Sequence, residues 1–252
     1  MIFRLSIANI KITIVLMILV SLLSCFGRSS RASRHVSRIK EGVAKWNQWR
    51  TEHPNAKIDL EGANLRYMNL KGINLEGAYL LNANLEGAYL EGANLTNSTL
   101  QKANLERAIL NNADLSDSIL RGTRLKEANL RRTTVEEADF RATIMPGANL
   151  KGSTCIYSAF HRANLKKANL SGSMLSHSIF KGANLKGANL ENANLEEASL
   201  EKADMSKTNL KGANLKGTNL LQANIHGSNI TKKQLKSTLN GDRTIGTQFK
   251  EK

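Results

Sequence analysis

A period of five residues, held in one register from residue 58 to residue 230, limits this chain more than any other feature. When blocks are cut to close on residue numbers divisible by five, the closing position from Leu60 to Ile230 is Leu, Ile, Val, Phe or Met in 34 of 35 blocks. Cys155, a small hydrophobe, is the exception. Two residues earlier, from Ala63 to Ser228, the position is Ala, Ser or Thr in 32 of 34 blocks, with Met68 and Ile73 departing. Every block therefore offers one large apolar side chain and one small one, and the fold must send both to a common interior.

Neither regular element does this. Five residues advance about 140° around an α-helix, so the leucines would spiral over every side. In a continuous strand the small residue and the Leu share a face, but the next small residue, three further on, faces away. A corner inside each block restores the register. Gly often follows the closing Leu by two places (Gly62, Gly72, Gly77, Gly87, Gly182, Gly187), where its tolerance of positive φ suits a tight turn.

The number of corners per coil is legible in the exceptions. Phe occupies closing positions only at Phe140, Phe160 and Phe180, and the preceding small position of that series carries Ser98, Ser118, Ser158 and Ser178. Asn dominates the fourth block position elsewhere, but this series reads Tyr79, Thr99, Ile119, Asp139, Ala159, Ile179, Ser199. A step of twenty residues means four sides of five. The blocks then make about nine coils, a body on the order of 40 Å long at the spacing of paired strands. Asn side chains outside the core are expected to hydrogen-bond from coil to coil.

The repeated A-N-L-x-G wording resembles the pentapeptide repeat family over residues 58–230. The resemblance implies an all-β fold, a right-handed quadrilateral parallel β-helix. The lead-in GVAKWNQWR, followed by Pro54 and Ile58-Asp59-Leu60, resembles that of cyanobacterial members. An open stack exposes an apolar cross-section and unpaired edges, so caps are expected at both ends. In residues 33–50, Val36, Ile39, Val43, Trp46 and Trp49 fall near one helical face, which predicts an N-terminal capping helix with its connection over 33–57. The segment TKKQLKSTLNGDRT breaks the repeat and resembles the short helix and G-D-x-x-T closing segment of family members, a C-terminal cap over 231–252. An end cap is also the surface through which a dimer would form.

Residues 1–32 differ in kind. Residues 12–26 are apolar and uncharged, preceded by Arg4 and Lys11. Fifteen residues are short for a spanning helix and suit a signal-peptide core. Leu22-Leu23-Ser24-Cys25 resembles a bacterial lipobox, with Cys25 the candidate for lipidation. Against export stand Arg28, Arg31, Arg34, Arg38 and Lys40. The leading expectation is an uncleaved anchor in a bacterial inner membrane with the repeats on the cytoplasmic side. The alternatives are a cleaved signal or exported lipoprotein, and a misplaced start.

The net charge of +15 is unevenly spread: residues 1–50 carry +8, residues 231–252 carry +4, and the repeats are nearly neutral at +3. A basic terminus beside an apolar segment suits anionic lipid. Within the repeats, residues 140–190 hold Arg141, Lys151, Arg162, Lys166, Lys167, Lys181 and Lys186 and no acid. On a twenty-residue coil six of these fall on two adjacent sides, a candidate docking patch spanning one corner. Its partner would be acidic or phosphorylated; an ordinary solvated face is the plainer expectation. The same band holds the least regular coil, with Pro146, Ile156 and Tyr157 outward.

Some family members mimic DNA to shield type II topoisomerases, which needs a strongly acidic surface. The repeats here do not supply one, so DNA mimicry is disfavoured, and a nucleic-acid or topoisomerase-directed binder is the alternative to a protein-interaction scaffold. No catalytic constellation is found. His35, His53, His161, His177 and His226 are scattered without ligand spacing, Cys25 and Cys155 lie in different contexts, and Glu136-Glu137 and Glu196-Glu197 face outward on a convex wall. No enzyme, cofactor or metal is expected. The partner is a protein of unknown identity.

Overall fold

The computed structural model describes residues 32–246. From Asp59 to Asp204 each residue at the fourth block position forms a parallel bridge with the residue twenty places on: Asp59 with Tyr79, Asn64 with Asn84, Asn69 with Tyr89, Asn74 with Asn94, and so up the stack. Four such columns make four walls, numbered first to fourth in that order. The twenty-residue coil inferred from the Phe and Ser spacing is the observed one. Pairing is confined to isolated bridges, so among the described repeat residues no longer strand forms. The cause is the corner, which takes the first two residues of every block and leaves three for the wall.

One block shows how the backbone is satisfied. The N–H of Gly182 donates to the carbonyl of Glu201 at 2.9 Å, Asn184 to Ala163 at 2.9 Å and Leu185 to Asp204 at 2.7 Å, bonds that join successive coils. Ala183 donates to Phe180 across the corner at 2.9 Å. The fifth donor, Lys186 N–H, meets the side chain of Asn184, Oδ1, at 3.1 Å. All five donors are thus paired, as a half-buried backbone requires. The Asn of the fourth position accepts from the N–H two residues on, an Asx turn that braces the next corner. Coil-to-coil Asn ladders also form, as at Asn209–Asn189 and Asn214–Asn194 (both 2.9 Å) and Asn229–Asn209 (2.7 Å), but the turn brace recurs more widely. The expected coil-to-coil Asn bonds are therefore present, and the turn brace is a second role for the same side chains. The brace is local and leaves no coil-length signature in the sequence.

The second corner residue has a left-handed backbone throughout, with φ near 66° at Gly182 but also 55° at Ala142 and 57° at Lys202. With an i to i+3 hydrogen bond and positive φ only at i+2, the corner is of type II. Inside, the closing leucines are fully buried. Phe140, Phe160 and Phe180 stack with ring centroids 4.8 and 4.7 Å apart, one ring per coil. Where Ser or Thr replaces Ala, the hydroxyl finds a carbonyl: Ser153 donates to Leu150 O and Ser178 to Cys155 O, both at 2.7 Å. Most small hydroxyls therefore enter the core with a partner, while the buried Ser98 and Ser228 hydroxyls have none among the described residues.

Helix α1 covers 32–40 of the described residues and α2 covers Val43–Glu52. The single helix expected over 33–50 is broken at Gly42, whose φ of 116° no helix accommodates. The break lets Ile39 and Trp46 both bury against the first coil. That coil has no neighbour below, and α2 supplies its missing partners: Trp46 Nε1 donates to Asn74 O (2.7 Å), Asn47 Oδ1 accepts from Asn74 N (2.9 Å), and Arg50 donates to Glu76 O (3.0 Å). At the other end α3, Lys232–Lys236, begins with a capping box between Thr231 and Gln234. Gln234 Nε2 donates to Leu210 O and Ala213 O, at 2.7 and 3.0 Å. Leu239 and Ile245 then bridge to Asn219 and Asn224.

Among the described residues no helix is long and apolar enough to cross a membrane. Residues 12–26 and Cys25 lie outside the described residues.

Candidate interaction walls

The corners carry the charge, because the first two residues of each block point outward. Arg141, Arg162 and Lys181 line the corner between the first and second walls, and Lys166, Lys167 and Lys186 line the next, between the second and third. The cations thus border both edges of the second wall, whose outward residues at this height are Ile144, Asn164 and Asn184. They do not cluster over one corner as expected. Lys151 stands one corner further, with Arg131 and Arg132, because ten residues are half a coil.

Not all of these cations are free. Arg141 grips Asp139 with two bonds, at 2.9 and 2.7 Å, and Arg121 shares the same carboxylate. Lys181 pairs with Glu201 at 2.9 Å. Lys181's hydrogen bond, with its charge and that of Lys202, holds the Glu201 carboxyl below its ordinary range. Arg162, Lys166, Lys167 and Lys186 are exposed and make no ion pair among the described residues. These four are the ones with charge to offer a partner.

The corner between the fourth and first walls has the opposite character. It holds Asp117, Glu136, Glu137, Glu196 and Glu197, with Ile156, Tyr157 and His177 at mid-height. The Tyr157 and His177 rings stack at 4.8 Å and 10°, and His177 Nδ1 lies 3.4 Å from Glu197. Met174 and Ile179 flank them and are exposed, as is Tyr157 at 59%. Glu196 is bound by Lys216 at 2.8 Å, which lowers its pKa and raises that of Lys216. The acids of this corner lie in blocks at least twenty residues apart, Asp117 alone and the glutamates in two adjacent pairs, so their gathering into one edge is visible only once the chain is wound.

Cys155 is a core residue, its thiol pushed up to about 12 by burial despite the Ser153 hydroxyl 3.2 Å away, so it is no nucleophile. Among the described residues no group of three or more His, Cys, Asp or Glu is placed to hold a metal ion. A cleft beside the N-terminal helices is lined by Arg34, His35, Arg38, Trp49 and Lys57, with the Arg38 guanidinium 4.5 Å from the Trp49 ring centroid.

Geometry alone defines a four-walled solenoid with exposed, chemically distinct corners. The family model "Pentapeptide repeats (8 copies)" matches it repeatedly from residues 58–97 to 193–231, and the chain belongs to the pentapeptide repeat family, whose fold is the right-handed quadrilateral β-helix. Among solved structures it is similar to HetL, a pentapeptide repeat protein involved in heterocyst differentiation regulation from the cyanobacterium Nostoc sp. strain PCC 7120. The identity is 25%, with 79% of this chain and 98% of HetL covered, at a TM-score of 0.65. QnrB1, a plasmid-mediated fluoroquinolone resistance protein, matches at 18% identity over 67% of this chain and 83% of its own, with a TM-score of 0.39. A pentapeptide repeat protein from the Arabidopsis thaliana thylakoid lumen matches at 31% identity over 46% and 73%, with a TM-score of 0.33. No curated protein matches the chain.

Proposed function

We propose that this protein is a non-catalytic scaffold whose second wall docks an acidic protein partner. The observation that carries this is the set of four unpaired cations, Arg162, Lys166, Lys167 and Lys186, on the two edges of one rigid wall. In this reading the helical segments cap the rod's two ends. The N-terminal apolar segment holds it at a bacterial inner membrane with the repeats on the cytoplasmic side; lipidation at Cys25 after export is the competing arrangement. The wall is tested by affinity capture at low and high salt with wild type and a variant carrying Glu at all four cations. Retention of an acidic protein by wild type alone, fading as salt rises, is expected. Retention of nucleic acid instead, with a steep salt slope, would replace this with the nucleic-acid alternative. Fractionation with protease added outside intact inner membranes tests the tether: membrane-bound, protected repeats are expected, and digestion of repeats carrying a lipidated Cys25 would overturn the cytoplasmic placement.

A further inference from the structure

The near-neutral charge of the repeats conceals a polarity across the rod. Three of its corners carry an excess of Lys and Arg, while the corner between the fourth and first walls carries Glu136, Glu137, Glu196 and Glu197 around an exposed apolar centre. That centre is made by Tyr157, Met174 and Ile179. An aromatic and Met centre rimmed by charge is the composition of a protein interface, and singly scattered apolar residues would need no such account.

The second wall is its complement on the same molecule. Its outward residues at the same height are Ile144, which is 47% exposed, and Asn164. Long cationic side chains rise on both of its edges, and the wall between them is about 10 Å wide at three extended residues. A corner is a ridge, and a wall between two rows of cations is a bed for one. The coil rise, seen as 4.8 Å between the Tyr157 and His177 rings, is shared by every copy, so charges spaced along one rod meet charges spaced by the same step on another.

We propose that the acidic ridge of one copy lies on the basic second wall of a second copy. The ridge carboxylates Glu136 and Glu137, unpaired among the described residues, joined by Glu196 and Glu197 on exchange of their Lys216 and His177 contacts, would pair with Arg162, Lys166, Lys167 and Lys186, and Tyr157 would pack near Ile144. The inference rests on the reading of that wall as a docking surface and names its occupant. Because ridge and wall are different surfaces, the contact is heterologous and leaves each copy with one free ridge and one free wall, so it grows into rows.

A charge-swap experiment on the full chain in non-ionic detergent, read by light scattering on a sizing column, tests this. The ridge variant carries Glu136→Lys, Glu137→Lys, Glu196→Lys and Glu197→Lys; the wall variant carries Arg162→Glu, Lys166→Glu, Lys167→Glu and Lys186→Glu. Wild type is expected to associate at low salt and dissociate at high salt, each variant alone to stay monomeric, and an equal mixture of the two to associate again. Tyr157→Ala is expected to weaken association by on the order of tenfold. Unchanged thermal unfolding of each variant excludes misfolding as the cause. A wild type that is monomeric at low salt, or a mixture that stays monomeric, overturns the inference. If that happens while the wall variant alone loses an acidic partner, the wall stands as a docking surface and only its occupant was misassigned.

Discussion

Ala188 and Lys186 sit two residues apart and face opposite worlds: Ala188 is 1% exposed inside the coil, while Lys186 is exposed at the corner. Ala188→Arg forces a long cation into a space shaped for a methyl group, with no partner for its charge. We expect a loss above about 4 kcal/mol, read as loss of the cooperative unfolding transition, against less than about 0.5 kcal/mol for Lys186→Ala. The corners admit the opposite change. Ala142 has φ 55° and no side-chain bond to justify it, so Ala142→Gly is expected to stabilise by about 0.5–1 kcal/mol in chemical denaturation. Asn184→Ala removes the acceptor for Lys186 N–H and should cost about 1 kcal/mol.

At the scale of elements, α2 stands where a coil below the first would be. Trp46 fills the end of the core and covers Asn74 O, so Trp46→Ala is expected to cost about 3–5 kcal/mol. In a stack of nearest-neighbour contacts the damage begins at that end. Amide hydrogen exchange should accelerate first in the coils near residues 60–80, while those around Phe140–Phe180 hold their protection; uniform acceleration would contradict an end-specific role. The element was partly legible in the sequence, since Trp46 and Trp49 announce an apolar face. The break at Gly42 was not, because a helical period runs smoothly through it and only the need to set both Ile39 and Trp46 on the coil end forces the bend.

At the scale of the whole rod, ion pairs run from coil to coil at twenty-residue steps: Lys71–Glu91, Arg107–Glu127, Lys181–Glu201 and Glu196–Lys216. Glu196 and Glu201 have folded pKa values below the ordinary 4.5, so their contribution is present above that value and lost as pH falls through the folded one. Lys216, raised above 10.5, contributes below that value and loses its share as pH rises through its folded one. The melting temperature should therefore fall on acidification below about pH 4.5, by a modest amount because the cation of every pair is exposed to solvent. Glu196→Gln should flatten its part of that fall. An unchanged melting temperature from neutral pH to pH 3 would sink the assignment.

The inward and outward assignment of nearly every repeat residue, and the four-sided coil itself, follow from the sequence alone, because a five-residue period admits few windings and Phe140, Phe160 and Phe180 mark the step. Tertiary structure decided the rest. Glu137 and Glu197 are sixty residues apart and come onto the same edge, three coils from each other, only when the chain is wound; Lys151 leaves the patch its sequence neighbours suggest, and Asn184 braces the corner that follows it as well as facing the next coil. Charge and hydrogen bonding depend on distance through space, and in a solenoid that distance is set by position modulo the coil, which a linear count of charged residues averages away.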